Sequence, residues 1–287
     1  MTRAGQRILV TGATGTVGSH VCAELVETDA VVVAASRSGS SPNAVRFDWY
    51  DRRSWGPALD RVTAVYLIAP SNDSAPQSVM RPFLDQARAS GVTRAVLQSS
   101  SLIELGGPTL GDVHAAVAET FPEWTVLRPS WFMQNFSGRH PHADSIRRSG
   151  VLTTATDGGR VGFIDVRDIA RVAARALTSD VAINTDPILT GPEALSYDDA
   201  ATIITRASGR PVTHVDAERD LARQVYTADG TPADYADMLL GLDALIAAGA
   251  EDRVTDSVLR LTGVPPRSFE EFATGIDWKV GSEVVTY

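Results

Sequence analysis

Residues 7–18 (RILVTGATGTVG) place a short apolar run directly before three glycines at every third position. The apolar run at 8–10 suits a strand that is buried on both faces. In a dinucleotide-binding turn, one glycine makes the sharp turn, one lets backbone amides approach a pyrophosphate, and one lets the helix pack against the strand. The segment therefore predicts strand, phosphate-binding turn and helix, with cofactor contacts from Gly12, Thr14, Gly15, Thr16, Val17 and Gly18.

The second predicted strand, at 31–35, ends in Ser36, Arg37 and Ser38, and Arg37 stands 19 residues past Gly18. An acidic residue near this position would bind the ribose 2′-hydroxyl of NAD. An arginine flanked by serines instead offers positive charge and hydroxyls to a 2′-phosphate. The sequence therefore predicts NADPH (NADP) as the cofactor, and the alternative is an arginine that is simply solvated at a strand end.

Apolar runs alternate with helical stretches along the first half of the chain. We expect strands over 44–47, 64–69 and 94–99 and a helix over 76–90. This alternation predicts an α/β fold with a Rossmann-type, doubly wound parallel sheet. We place the NAD(P)-binding domain at 1–180 and a smaller, mostly helical substrate and lid region, interleaved with it, at 181–287.

The later segments read mostly as helices. A strand at 163–164 is expected to lead into a helix capped by Asp165 or Asp168, which makes these acids structural. Further helices are expected near 198–208, 217–226, 232–248 and 268–274.

Several small or polar residues follow the predicted strands, where a parallel sheet binds its ligand. Asp48 follows the third strand on the adenine side, and Ala69 and Pro70 end the fourth strand nearer the nicotinamide. Ser99 and Ser100 end the fifth strand, Ser99 as a cofactor contact and Ser100 as a catalytic candidate. The alternatives are a turn or cap role for Asp48 and the serines, and a loop-breaking role for Ala69 and Pro70.

The chain lacks the tyrosine–lysine pair that many reductases of this fold use to donate a proton. Its one lysine is Lys279, and no tyrosine falls between Tyr66 and Tyr197. His114, in a helix expected to open after 106–113 and run to about 119, is the one ring there that can act as an acid or base near neutral pH. His114 is therefore a second catalytic candidate, and the alternative is a histidine that only packs or binds substrate.

Composition excludes several other functions. The formal net charge of −9 disfavours nucleic acid as a partner, because binding a phosphate backbone needs clustered basic residues. The first strand begins too early for a signal peptide, and no apolar run would span a membrane, so we expect a cytoplasmic protein. The single cysteine, Cys22, excludes an intrachain disulfide, and no His or Cys cluster has metal-binding spacing, so no metal is expected.

Six motifs in a fixed order span about two thirds of the chain. They are TGATGTVG at 11–18, LIAP at 67–70, GGP at 106–108 with His114, WTVLRPSWFMQNF at 124–136, FIDVRDIA at 163–170 and LTGP at 189–192. Through them the chain resembles the NmrA-like branch of atypical short-chain dehydrogenases/reductases. Within that branch it is most similar to the ergot alkaloid reductases of the festuclavine or agroclavine dehydrogenase type.

The resemblance implies NADPH-dependent hydride transfer to an iminium or related unsaturated nitrogen compound in secondary metabolism. That chemistry fits the missing lysine, because an iminium carbon already carries positive charge and needs no proton as hydride arrives. The segment 128–136 would form the substrate mouth, with Trp131, Phe132, Asn135 and Phe136 against a flat polycyclic or other ring-bearing ligand. Alternate members of this segment could instead enter the core, Phe132 among them.

Other functions stay open at this point. An enone or quinone competes with an iminium as the acceptor, and a redox-neutral cyclisation or isomerisation on the same scaffold is a further alternative. From another class, a non-catalytic NAD(P)-sensing regulator of the NmrA kind would bind a partner protein. The expected assembly is a monomer or a homodimer.

Overall fold

Eleven strands are found in a computed structural model of the chain, which describes residues 5–39, 44–71, 73–138, 140–228 and 230–278. In chain order they are β1 (Arg7–Val10), β2 (Val31–Ser36), β3 (Ala44–Arg46), β4 (Ala64–Leu67), β5 (Arg94–Gln98), β6 (Glu123–Pro129), β7 (Val151–Thr154), β8 (Arg160–Val161), β9 (Ile188–Leu189), β10 (Leu195–Ser196) and β11 (Thr213–Asp216). Seven form one parallel sheet in the order β3-β2-β1-β4-β5-β6-β9.

Eleven α-helices accompany these strands in the described part of the chain. They are α1 (Thr16–Val26), α2 (Trp55–Ala58), α3 (Gln77–Ala89), α4 (Leu110–Thr120), α5 (Pro141–Ser149), α6 (Val166–Thr178), α7 (Tyr197–Ser208), α8 (Arg219–Ala228), α9 (Ala233–Ala247), α10 (Ser257–Thr262) and α11 (Phe269–Thr274). Short 3₁₀ turns lie at Arg52–Ser54 and Met133–Phe136. No described helix combines the length and apolar character needed to cross a bilayer.

Both faces of the large sheet are covered by apolar helix faces, which is why its central strands are apolar over 8–10, 64–67 and 95–97. One core packs α1 and α6 against the sheet, and a second core on the other side contains residues of α3 and α4 with Trp55 and Phe83. The chain crosses from one side of β1 to the other between β3 and β4, which places a switch point at β1 and β4. The predicted Rossmann-type doubly wound fold is confirmed.

The remaining strands form two small pairs beside the main sheet. β7 pairs with β11 in parallel and β8 pairs with β10 antiparallel. Their apolar residues join α5, α7 and α11 in a third core that includes Phe136, Phe163, Tyr197 and Phe269. This core takes residues from both before and after residue 180, so segments on the two sides of that position pack together.

Short elements were the ones the sequence did not predict. The two small strand pairs were not expected, and the expected strand at 163–164 is reduced to an isolated bridge between Ile164 and Phe132. Asp165 is the N-cap of α6, as expected, and accepts a hydrogen bond from the Arg167 amide. The four later helices begin and end within about two residues of their predicted bounds.

Candidate cofactor and substrate site

The glycine turn, residues 12–18, has no room for side chains at its two ends. Gly12 adopts φ +62°, and a Cβ there would meet the Ile68 side chain at 3.3 Å. A Cβ on Gly18 would lie 2.2 Å from the Gly12 carbonyl oxygen, a distance no side chain tolerates. Turn and helix therefore approach each other as closely as the backbone allows.

The N-terminus of α1 is left open toward solvent. Gly15 is its N-cap and supplies no side-chain hydrogen bond, and Thr14, Gly15 and Thr16 are exposed. The first amides of a helix lack intrahelical partners and carry the positive end of its dipole. The side chain of Val17 is buried in the core, so only its backbone faces the turn. This cradle fits a pyrophosphate group.

The end of β2 carries a cationic patch larger than the sequence indicated. The Arg37 side chain is exposed, and no acid among the described residues pairs with it. Ser36 accepts a hydrogen bond from the Gly39 amide at 3.1 Å, and its hydroxyl lies 3.5 Å from that of Ser38. Arg46, which sequence reasoning missed, is the direct register partner of Ser36 on β3.

Arg46 is held in place by an acid of its own. Its Nη1 lies 2.9 Å from Asp51 Oδ2, and the Arg46 side chain is 59% exposed. The guanidinium hydrogen bonds from Arg46 and Arg53 lower the pKa of Asp51 to about 2, so this carboxylate stays charged. Only the pairing of β2 with β3 reveals Arg46, because nothing local in the sequence distinguishes it from the other arginines.

Asp48 is engaged in a local turn. Its Oδ1 accepts the Tyr50 amide at 3.0 Å, and its carbonyl oxygen accepts the Trp55 indole N–H at 3.0 Å. Trp49 donates its indole N–H to the Ile68 carbonyl at 3.2 Å, which joins the end of β3 to the end of β4. The structure therefore gives Asp48 the turn role that was the alternative, and leaves an adenine contact as a prediction.

The ends of β4 and β5 form the inner part of the edge. Ala69 and Pro70 are half-buried after β4. The Ser99 hydroxyl is buried and has no hydrogen-bond partner among the described residues. A buried polar atom without a partner costs free energy, so this hydroxyl fits a bound ligand. Ser100 is half-buried, and its hydroxyl receives only a long 3.5 Å contact from the Leu102 amide.

His114 is buried beside β6. Its side chain is 1% exposed, and its ring centroid lies 6.1 Å from that of Trp124 on β6. Burial lowers its pKa, with opposing influences from Asp186 and Arg128, so the ring is neutral near pH 7. No hydrogen bond or ring contact among the described residues joins His114 to Ser100, so a shared catalytic role of the two stays a prediction.

The mouth, residues 131–136, divides into half-buried and buried members. Trp131, Phe132 and Asn135 are half-buried, and Asn135 has no side-chain partner among the described residues. Phe132 also packs against the core beneath α1 and α6, so part of its ring serves as core. Gln134 uses its amide to bind Asp165 at 2.9 Å and the Val166 amide at 3.1 Å.

Phe136 requires a correction. We expected its ring to face substrate, but it is 1% exposed. It packs edge-on against Phe163 and Phe269, with centroids 5.2 and 5.1 Å apart. Met133 and Phe136, three residues apart, both point into the third core because the 3₁₀ turn at Met133–Phe136 places every third side chain on the same face.

The one lysine and the side-chain types that bind metals also bear on the chemistry of the site. Lys279 lies outside the described residues. Within the described ranges, no group of three or more His, Cys, Asp or Glu side chains is placed to hold a metal ion.

Exposed helix amides beside the switch point of a parallel sheet are the structural basis for binding the pyrophosphate of a dinucleotide. The fold and the glycine turn therefore define a dinucleotide-binding protein of the Rossmann class. A family model described as NAD(P)H-binding matches residues 12–180, and the chain belongs to this NAD(P)H-binding family.

Known proteins resemble the chain along most of its length. The uncharacterized oxidoreductase YesF of Bacillus subtilis is 48% identical over 269 residues, which are 93% of each chain. Agroclavine dehydrogenase of Claviceps fusiformis is 41% identical over 282 residues, which cover 93% of this chain and 96% of the relative. The predicted resemblance to NmrA-like reductases of the agroclavine dehydrogenase type is confirmed.

A solved structure agrees in fold. An NADPH-dependent quinone oxidoreductase from Escherichia coli, in complex with NADPH, superposes with a TM-score of 0.79 at 24% identity. The match covers 93% of this chain and 98% of that one. Family and relatives together support an oxidoreductase that binds NAD(P)H.

Proposed function

We propose that the chain is an NADPH-dependent reductase that transfers hydride to an iminium, enone or quinone-like carbon of a ring-bearing metabolite. The observation that carries this proposal is the pairing of an open helix N-terminus with a half-buried aromatic mouth at one edge of the sheet. The first holds a dinucleotide and the second holds a flat acceptor.

The preference for NADPH over NADH rests on charge at the end of β2. Arg37 is exposed and unpaired among the described residues, and Arg46 stands beside Ser36. Two guanidinium groups and a serine hydroxyl suit a 2′-phosphate, whereas the ribose hydroxyls of NADH would leave the Arg37 charge without a partner.

Bound NADPH supplies the hydride, and the protein supplies binding and orientation. In this proposal the amides of the glycine turn hold the pyrophosphate, and the Ser99 hydroxyl bonds the nicotinamide end. Trp131 and Phe132 stack on the acceptor, and Asn135 bonds its edge. For an iminium, holding the two reacting rings face to face supplies most of the rate enhancement, because no proton has to be delivered. An enone or quinone would take up its proton from solvent after hydride transfer.

The two catalytic candidates differ in how well they suit proton transfer. Ser100 carries a half-exposed hydroxyl that can bond an acceptor heteroatom. The His114 ring is buried and neutral, and its contact with Trp124 favours the packing role. We therefore assign Ser100 to acceptor binding, and expect His114→Ala to lower stability more than turnover.

The names of the relatives support a ring-bearing acceptor. Agroclavine dehydrogenase bears the name of an alkaloid, and another relative, from Xenophilus azovorans and 32% identical, is an NAD(P)H azoreductase. We further propose a role in secondary metabolism, a cytoplasmic location, a monomeric or homodimeric state, and a division into a cofactor part at 1–180 and a substrate part at 181–287.

The test is to mix the protein with NADPH and a panel of iminium, enone and quinone acceptors, and to follow the absorbance of the reduced nicotinamide. We expect NADPH oxidation with at least one class, and slower oxidation in Trp131→Ala. Tight NADPH binding without turnover on any acceptor would contradict the enzyme proposal and favour the cofactor-sensing regulator.

A further inference from the structure

Glu251 lies in the segment after α9 and is completely buried. Both of its carboxylate oxygens bind serine hydroxyls from distant parts of the chain. Ser101 donates to Oε1 at 2.7 Å, and Ser130 donates to Oε2 at 2.6 Å. These are short, charge-assisted hydrogen bonds, which are stronger than neutral ones.

The two serines stand at the tips of neighbouring strands. Ser101 follows β5 and its amide donates to the Pro129 carbonyl at 2.9 Å, while Ser130 directly follows β6. Each is adjacent to a residue of the proposed acceptor site, Ser100 in one case and Trp131 in the other. One carboxylate therefore fixes the spacing between the two strand tips that carry these residues.

Two arginines close the network around the Ser101 carbonyl oxygen. Arg253 donates Nη2 to Glu251 at 2.9 Å and to that carbonyl at 3.3 Å. Arg128 donates Nη2 to the same carbonyl at 2.9 Å and pairs through Nη1 with Asp186 at 3.0 Å. The network therefore pairs each acid with one arginine and anchors the backbone directly after Ser100.

The segment that carries Glu251 also joins the end of α9 to the sheet. Thr255 donates its hydroxyl to the Ile188 carbonyl of β9 at 2.8 Å and its amide to Thr190 at 2.9 Å. The segment begins directly after α9, so Glu251 connects the position of α9 to the tips of β5 and β6.

Burying a charged group is a poor way to gain stability, because desolvation offsets much of the attraction. A fully bonded buried carboxylate instead selects one arrangement of its partners. We propose that Glu251 is a positioning residue for the acceptor, which holds Ser100 and Trp131 at the distance that hydride transfer requires. This inference rests on the proposed reductase function.

The experiment compares Glu251→Ala, Glu251→Gln and Ser130→Ala. Glutamine can keep both serine contacts, since a hydroxyl can turn to accept from its amide N–H. The matched control is Asp168→Ala. Asp168 is also a buried carboxylate that joins distant segments, through the Arg267 amide at 2.8 Å and Arg171 at 2.8 Å, but it touches neither strand tip.

In Glu251→Ala, we expect kcat/KM for the acceptor to fall by about 10- to 100-fold, the size of a misplaced reactant. The Kd for NADPH should change less than the acceptor kcat/KM, because the glycine turn is separate from the network and only Ser99 of the proposed cofactor contacts lies beside the loosened strand tip. Ser130→Ala should show a smaller loss in the same direction, and Glu251→Gln should recover most of the activity. Asp168→Ala should lower the melting temperature without this loss.

Amide hydrogen exchange gives a readout that does not depend on turnover. We expect faster exchange at 99–103 and 130–133 in Glu251→Ala, restored by Glu251→Gln, and unchanged there in Asp168→Ala. If the wild type binds NADPH but reduces no acceptor, the proposed function fails and the exchange pattern alone decides on Glu251.

Three results would overturn the positioning role. They are an acceptor kcat/KM in Glu251→Ala equal to that of the wild type, an equal loss in Asp168→Ala, and unchanged exchange at both strand tips. If Glu251→Ala does not fold, Ser130→Ala carries the same test, and an unchanged kcat/KM there would also overturn it.

Discussion

The glycine turn and the mouth lie at the same edge of the sheet but are held by different interactions. In the turn, backbone meets backbone, and a Cβ on Gly18 would lie 2.2 Å from a carbonyl oxygen. In the mouth, side chains from distant segments hold the chain, as where Gln134 binds Asp165 and where Glu251 binds Ser130. The cofactor end is therefore defined locally, and the acceptor end depends on long-range contacts.

The largest expected effect separates buried from half-buried members of the mouth. Phe136→Ala should lower the free energy of unfolding by about 3–5 kcal/mol, because it empties a site in the third core. Trp131→Ala should cost less stability and should instead raise KM for the acceptor. Denaturant unfolding and steady-state kinetics of both variants check this. An unchanged free energy of unfolding with a raised KM for the acceptor in Phe136→Ala would show that Phe136 belongs to the substrate site.

Gly18→Ala tests the backbone contact on the cofactor side. We expect a loss of about 3 kcal/mol of stability from overpacking, together with loss of NADPH binding, because the turn must move away from the helix. The control is Gly241→Ala in α9, where an added Cβ meets nothing within 4 Å. That change should stabilise the protein by up to about 1 kcal/mol through helix propensity. Unchanged NADPH affinity in Gly18→Ala would contradict the tight-turn account.

The pH dependence of stability separates the two regions further. The backbone groups of the glycine turn do not titrate, whereas a buried acid on the proposed substrate side does. Burial raises the pKa of Asp243 from 3.8 to about 6, against hydrogen bonds from the Ala155 amide and Tyr226. The folded protein then holds this proton where the unfolded chain releases it, so stability falls as pH rises from about 4 to about 6.

Asp243→Asn removes this dependence. Relative to the variant, the wild type should lose about 2 kcal/mol of unfolding free energy between pH 4 and pH 7. Burial lowers the pKa of His140 to about 4 and holds that of His142 well below its usual value, but both residues are present in the two proteins and cancel in the difference. An equal pH dependence of the unfolding free energy in the two proteins would show that folding does not shift the pKa of Asp243.

The sequence predicted what depends on nearby residues. The glycine turn, the main parallel strands and the Asp165 cap each follow from a short pattern with a direct physical meaning. Residues whose role depends on distant partners were missed or misplaced. Ser101 and Glu251 stand 150 positions apart, and Arg46 reaches the cofactor end only through the pairing of β3 with β2. Phe136 shares its aromatic pattern with Trp131, and only the packing of α11 shows that it is core.

The proposed reductase function depends most on NADPH binding with its phosphorylated adenosine between the glycine turn and Arg37. Calorimetric titration of the wild type, Arg37→Asp and Arg88→Asp with NADPH and NADH tests it directly, since Arg88 is an exposed arginine on α3 with the same charge change. We predict tighter binding of NADPH than of NADH by the wild type. The NADPH affinity should fall about 10- to 100-fold in Arg37→Asp and little in Arg88→Asp, as expected for a lost charge-assisted hydrogen bond. No heat of binding with either nucleotide, or equal NADPH affinity in all three proteins, would contradict the account.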